Sequence, residues 1–177
     1  MIRDKQFRAF CGSESTSYLE RSKENALKRI TDNSDEREVE QVIDTYTQKP
    51  IIFHEDKINQ KLCKDDLLIF LPYEGDKAFL SMKPKNWSTY TPLISSEENN
   101  EIIFMIENVS KINTEEIGKR IKRDIEALKY HCKNLKKEVD EYNSELKIIL
   151  KEKYKTLKEK TKTIEEKIKD LGIPERK

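Results

Sequence analysis

The sequence predicts an α+β protein: N-terminal helices, a small antiparallel sheet of four to five strands, and a long C-terminal helix or helical hairpin. Three observations carry that expectation. Residues 119–171 contain neither glycine nor proline, and apolar side chains recur along them at steps of three and four, the spacing that returns a side chain to one helix face. Residues 51–106 hold short β-branched and aromatic runs broken by Pro72, Gly75, Pro84 and Pro92. Before them, two amphipathic segments each follow a cluster of capping residues.

In chain order, Ser13, Ser15, Thr16 and Ser17 offer N-caps for a first helix carrying Tyr18, Leu19, Ala26, Leu27 and Ile30. The run Asp32-Asn33-Ser34-Asp35 interrupts it. Ser34 or Asp35 then caps a second helix, with Glu36 and Glu38 in its first turn, where the helix dipole favours negative charge. Val39, Val42, Ile43 and Tyr46 form its apolar stripe, and Pro50 closes it. Ile51-Ile52-Phe53 reads as a short strand. Residues 67–71 (LLIFL) are apolar on both faces, which suits a central strand. Pro72 and Gly75-Asp76 make a turn, and residues 78–82 follow so soon that the two runs are expected to pair as a hairpin. Glu98-Asn99-Asn100 is a further turn before the two-sided run 102–106. Intervals this short favour antiparallel pairing, because parallel crossovers need more chain.

Thr114 is the expected cap of the long helix, with Glu115 and Glu116 in its first turn; Gly172 and Pro174 form its stop signal. The ladder reads Ile121, Ile125, Leu128, Cys132, Leu135, Val139, Tyr142, Leu146, Leu150, Tyr154, Leu157, Thr161, Ile164, Ile168, Leu171. Between Tyr142 and Tyr154 it steps by four three times running, a stutter that unwinds a left-handed supercoil locally. Asn143-Ser144 at the same place can cap a new helix. The alternatives are one helix, at 1.5 Å per residue roughly 80 Å long, or a hairpin turning near Asn143. The expected division is an α+β head over 1–112 and a helical arm over 113–177. The first half of the arm is expected to pack on the head, and the second to reach for a partner.

Composition bounds the function. The 35 basic and 34 acidic residues nearly cancel, and charged residues (39%) outnumber apolar ones (35%), which suits a long helix better than a sphere. A nucleic-acid binder often carries a basic excess; here only local runs exist, at Lys119, Arg120, Lys122 and Arg123 and over residues 151–162. Glu alternates with Lys at helical spacing there, as on a solvated face. No stretch resembles a secretory leader or a membrane span. Cys11, Cys63 and Cys132 are odd in number and widely spaced, consistent with reduced thiols in a cytoplasmic protein.

Catalytic and metal chemistry finds little support. His131 and Cys132 are adjacent on a helix and diverge by about 100°, so they cannot grip one ion; a zinc site needs four ligands at recognisable spacings. Cys132 lies on the ladder as a small core residue. Cys63, with His54 as the nearby histidine, reads as a loop cysteine. Glu55-x-Lys57 after a strand resembles part of a nuclease signature, but the second acid it needs should lie on a preceding paired strand, and the segment upstream, with Asp44, is helical. Asp65-Asp66 reads as strand-edge charge. Four glycines are too few and scattered for a phosphate loop. Tyr73, Phe79, Trp87 and Tyr90 fill a sheet core rather than stack bases. No cofactor and no metal is expected.

Three motifs carry a resemblance: Leu71-Pro72-Tyr73-Glu74-Gly75-Asp76-Lys77 followed by Phe79-Leu80 and Lys83-Pro84; Val139-Asp140-x-Tyr142-Asn143-Ser144; and Leu171-Gly172-Ile173-Pro174-x-Arg176-Lys177. Together, over residues 39–177, they resemble the N-terminal region of a widespread prokaryotic family. Its members read I-P-F-x-G-D…L-F…R-P, D-V-E-x-Y-N-x-S-L and L-G-I/F-P-x-K-R, and many carry a C-terminal restriction-endonuclease-like domain. Met82-Lys83-Pro84 stands where that family has arginine before proline, and Glu145 replaces the leucine after serine. The resemblance implies an α+β part with a long helix in a nuclease-linked, anti-phage setting. The catalytic residues of that nuclease domain have no positions among residues 1–177, so none of them transfers.

The expected function is therefore a cytoplasmic, non-catalytic protein-interaction or oligomerisation module, acting by self-association or on another protein subunit. Its seam is Leu128, Leu135, Val139, Leu146, Leu150, Leu157 and Ile164. The alternative is a nucleic-acid-binding subunit using Lys119, Arg120, Lys122 and Arg123. An enzymatic reading rests on Glu55-x-Lys57 alone.

Overall fold

The computed structural model describes residues 7–171. The strands are β1 (Phe7–Arg8), β2 (Ile52–Phe53), β3 (Asn59–Cys63), β4 (Asp66–Glu74), β5 (Leu93–Ile94), β6 (Ser96–Glu98) and β7 (Glu101–Ile106). The helices are α1 (Ser15–Arg29), α2 (Glu36–Tyr46) and α3 (Thr114–Asp170). The fold is α+β with an antiparallel five-stranded sheet and one long C-terminal helix, as the sequence predicts. Helix α3 is continuous through Asn143. The stop signal at Gly172 and Pro174, and the family-like ending Gly172–Lys177, lie outside the described residues.

The chain packs as two units. The first joins residues up to Tyr18 with Gln48–Asp140; the second joins Leu19–Thr47 with the chain from Glu141 onward. The boundary expected after Ile112 is not the one the packing makes. The N-terminal helices find their apolar partners on the far part of α3, and α3 changes unit in the region where the ladder stutters.

In the first unit the sheet order is β2-β4-β7-β6, with β3 also paired to β4. Ile69 faces Phe104 and Leu71 faces Ile102 across the central pair, and all four are buried. On the opposite face Leu68 and Ile103 are buried too, so both faces of β4 and β7 pack, as their unbroken apolar runs require. Pro72 sits inside β4, yet it falls where the strand passes from β3 to β2. Its carbonyl accepts the His54 N–H at 2.9 Å, and its missing N–H costs no ladder bond. Asn99 and Asn100 both take positive φ (52° and 61°), the two-residue turn that matches strand twist.

The expected hairpin between residues 67–71 and 78–82 does not form. Gly75 turns the chain at φ 109°, the Asp76 carboxylate accepts the Ala78 N–H at 2.9 Å, and Lys77–Leu80 coil into a 3₁₀ turn that buries Phe79 and Leu80. The hairpin partner of β4 is instead β3, a polar strand exposed along its whole length. Cys63 ends this strand rather than lying in a loop. Asp65 and Asp66 are more than edge charge: Asp65 accepts from the Ser110 N–H (3.0 Å) and hydroxyl (2.8 Å), and Asp66 accepts from the Asn108 N–H (3.1 Å). The cap of α3 is Asn113, whose side chain accepts the Glu115 N–H at 2.8 Å, not Thr114.

In the second unit Asp35 caps α2 through a reciprocal pair with Glu38. Leu19, Ala26, Ile30, Val39, Ile43, Tyr142, Leu146 and Leu150 are its buried apolar residues. The Tyr142 hydroxyl lies 2.8 Å from Ser22 Oγ and donates to the Tyr46 carbonyl at 3.1 Å. Lys153 donates to the Leu27 carbonyl in the last turn of α1, which also accepts the Ile30 N–H at 3.3 Å, and Lys158 reaches the Asp32 carbonyl just beyond it at 3.4 Å.

Candidate interaction surface

The predicted seam divides by burial. Leu128, Leu135, Val139, Leu146 and Leu150 are fully buried within this chain. They are core, and no partner reaches them without unfolding the unit that covers them. Leu157 and Thr161 are half-buried. Beyond them Ile164 is 47%, Ile168 50% and Leu171 67% exposed. Leu157, Thr161, Ile164, Ile168 and Leu171 step by 4, 3, 4 and 3, the heptad spacing of a coiled-coil edge. Tyr154 precedes in register, with the Lys158 ammonium 5.5 Å from its ring. On the outer side of this stretch Lys155 pairs with Glu159 and Lys162 with Glu166, each at 3.9 Å. Lys160 and Lys167, which flank the seam, have no ion pair among the described residues.

A second group on α3, adjoining the buried ladder, was not read from the sequence. Asp124, His131, Asn134 and Glu138 recur at steps of seven, three and four, and they hold the irregular segment 83–91 within the first unit. Asp124 accepts from the Tyr90 hydroxyl, and the Arg123 guanidinium lies 4.6 Å from the Tyr90 ring. His131 Nε2 donates to the Tyr90 carbonyl at 3.2 Å, Asn134 donates to the Asn86 carbonyl at 2.7 Å, and Glu138 accepts the Lys85 N–H at 2.7 Å and the Ser15 hydroxyl. The signal was present as helical spacing of polar residues beside an apolar one; what it would hold was not.

These contacts set the local chemistry. Burial lowers the His131 pKa below its ordinary 6.5, against the smaller upward pull of the Tyr90 carbonyl, so the ring is neutral. Its Nδ1 is buried without a hydrogen-bond partner among the described residues. Burial raises the Cys132 thiol, which stays protonated; burial and then the Asp124 carboxylate raise the Tyr90 phenol. The Cys132 thiol and the Tyr90 phenol are thus held in their protonated, weakly nucleophilic forms.

The remaining candidates are engaged elsewhere. Lys119 pairs with Glu115 at 2.6 Å, Lys122 with Glu126 at 3.9 Å, and Arg123 with Asp124 and Tyr90. Of the four predicted nucleic-acid contacts, Arg120 is the one with no ion pair among the described residues. Glu55 and Lys57 lie on a single 3₁₀ turn, with Glu55 held by Lys129 at 2.9 Å. His54 pairs with Glu74 on the neighbouring strand at 3.0 Å. Among the described residues, no three His, Cys, Asp or Glu side chains gather where a metal could bind, and no helix is long and apolar enough to cross a membrane. Tyr73 and Phe79 are buried, whereas Trp87 is at the surface with the Lys83 ammonium 4.3 Å from its ring. No protein-family model, curated protein or solved structure matches this chain.

Proposed function

We propose that this chain is a non-catalytic, cytoplasmic protein-interaction module whose docking element is the last part of α3, at Leu157, Ile164, Ile168 and Leu171. One observation supports the reading above the others. The same apolar ladder that is core as far as Leu150 continues in heptad register over residues 157–171, where this chain leaves it exposed. An apolar row at coiled-coil spacing gains by burial against another helix. The resemblance to a nuclease-linked prokaryotic family supplies a setting for that contact, defence against foreign DNA, and rests on the three motifs quoted above.

The test is solution mass by light scattering over a range of concentrations, together with binding of amphipathic helical peptides, for the native chain and for the double variant Ile164→Asp, Ile168→Asp. The reading expects the native chain either to exceed its monomer mass of 21.0 kDa or to bind such a peptide, and the variant to do neither while keeping its thermal unfolding midpoint. A monomer that takes no helical peptide, and that the two substitutions leave unchanged, refutes it.

A further inference from the structure

Resting on the interaction reading just given, we infer that the occupant of the 157–171 seam is an acidic amphipathic helix of another protein, not a second copy of this chain. The argument is charge at the seam's edges. With Leu157, Ile164 and Leu171 as one core position of the heptad and Thr161 and Ile168 as the other, the flanking positions fall on Lys160 and Lys167 along one edge and on Lys158 and Glu165 along the other. Flanking charges choose the partner and its orientation in a helix pair.

A second copy answers this pattern poorly. In a parallel pair, Lys160 meets Glu165 of the other copy, but Lys167 faces Gly172 and finds no carboxylate. In an antiparallel pair, the edge carrying Lys160 and Lys167 faces its own lysines. Either way Lys167 is left without an opposite charge. A helix with carboxylates on both edges answers both Lys160 and Lys167 and conflicts at Glu165 alone. Two lysines on the outer side of α3 are matched, Lys155 to Glu159 and Lys162 to Glu166, whereas Lys160 and Lys167, beside the apolar row, have no ion pair among the described residues.

The probe is a synthetic helix of about three heptads with leucine at both core positions and glutamate at both flanks. The control carries lysine at the flanks. Binding to the full chain is read by fluorescence anisotropy at 50 and 300 mM salt. We expect the glutamate peptide to bind at least roughly tenfold more tightly than the lysine peptide, a preference of about 2–5-fold per charge pair that shrinks at high salt. Lys160→Glu with Lys167→Glu should abolish or invert the preference, and Ile164→Asp should remove binding of both peptides. Equal binding of the two peptides, or a chain that dimerises through Ile164 and excludes them, overturns the acidic-helix inference while leaving the interaction module standing. Absence of both peptide binding and self-association defeats the module itself. An oligonucleotide that binds through Lys160 and Lys167 and is indifferent to Ile164→Asp also overturns the inference, in favour of nucleic acid.

Discussion

Gly75 sits at φ 109° with its α-carbon against the chain entering β2; a Cβ there would lie 2.2 Å from the Pro50 carbonyl oxygen. Both the backbone conformation and the space exclude a side chain. Gly75→Ala should cost about 1–3 kcal/mol from the backbone conformation alone, more with the clash, read as a lowered midpoint in urea unfolding. His131 makes a different kind of residue-scale statement. Its folded pKa is depressed by burial, so below about pH 6.5 the unfolded chain takes up a proton that the folded chain refuses. Stability is therefore full above that pH and falls as pH drops toward the folded value. His131→Gln should flatten this acid-side loss below about pH 6.5, measured by urea midpoints at each pH. Neither effect could be foreseen from the sequence. Gly75 was legible as a turn but not as a close approach, and His131 was legible as a helical residue but not as a buried one.

Among the elements, α3 was the most legible, because its spacing of three and four is a local property of the chain. The sheet was legible where strands are apolar on both faces and obscure where they are not. β3 reads as loop because every residue in it is exposed, and burial is what writes a strand's pattern into sequence. The missed 3₁₀ turn at Lys77–Leu80 has a matching cause: Phe79 and Leu80 are buried as strand residues would be, but Asp76 caps the turn and diverts the chain. For α3 the two ends of the ladder should behave oppositely. Leu135→Ala, at a fully buried site, should cost about 2–5 kcal/mol, whereas Ile164→Ala should leave the unfolding midpoint within error. Hydrogen exchange should separate them in the native protein, with amides near Leu135 protected and those of 160–171 exchanging close to the rate of an unpacked helix.

At the scale of the whole molecule, neither unit is a continuous piece of chain, and two of the crossings between them fall inside helices, at Tyr18–Leu19 in α1 and Asp140–Glu141 in α3. The candidate surface inherits this arrangement: it continues the helix on which the second unit closes its core. Ile43→Asp should therefore loosen amides at 142–150 far more than those of β4 and β7, in hydrogen exchange read by mass spectrometry. Equal loosening everywhere would show that the two units unfold as one. This partition could not be read from composition or periodicity, since it depends on pairings such as Ser22 with Tyr142 that lie far apart in the chain; the stutter was the one local sign of it.

The order in which the chain is synthesised gives this layout a cost in time. Helices α1 and α2 leave the ribosome first, carrying Leu19, Ala26, Ile30, Val39 and Ile43, while Tyr142, Leu146 and Leu150 come about 100–130 residues later. At about 5–20 residues per second those apolar faces wait on the order of 5–20 s uncovered. During that interval the nascent protein offers greasy helices to anything nearby, and a holdase that recognises such helices, or slow growth of the chain at low temperature, should govern how much of it reaches the folded state.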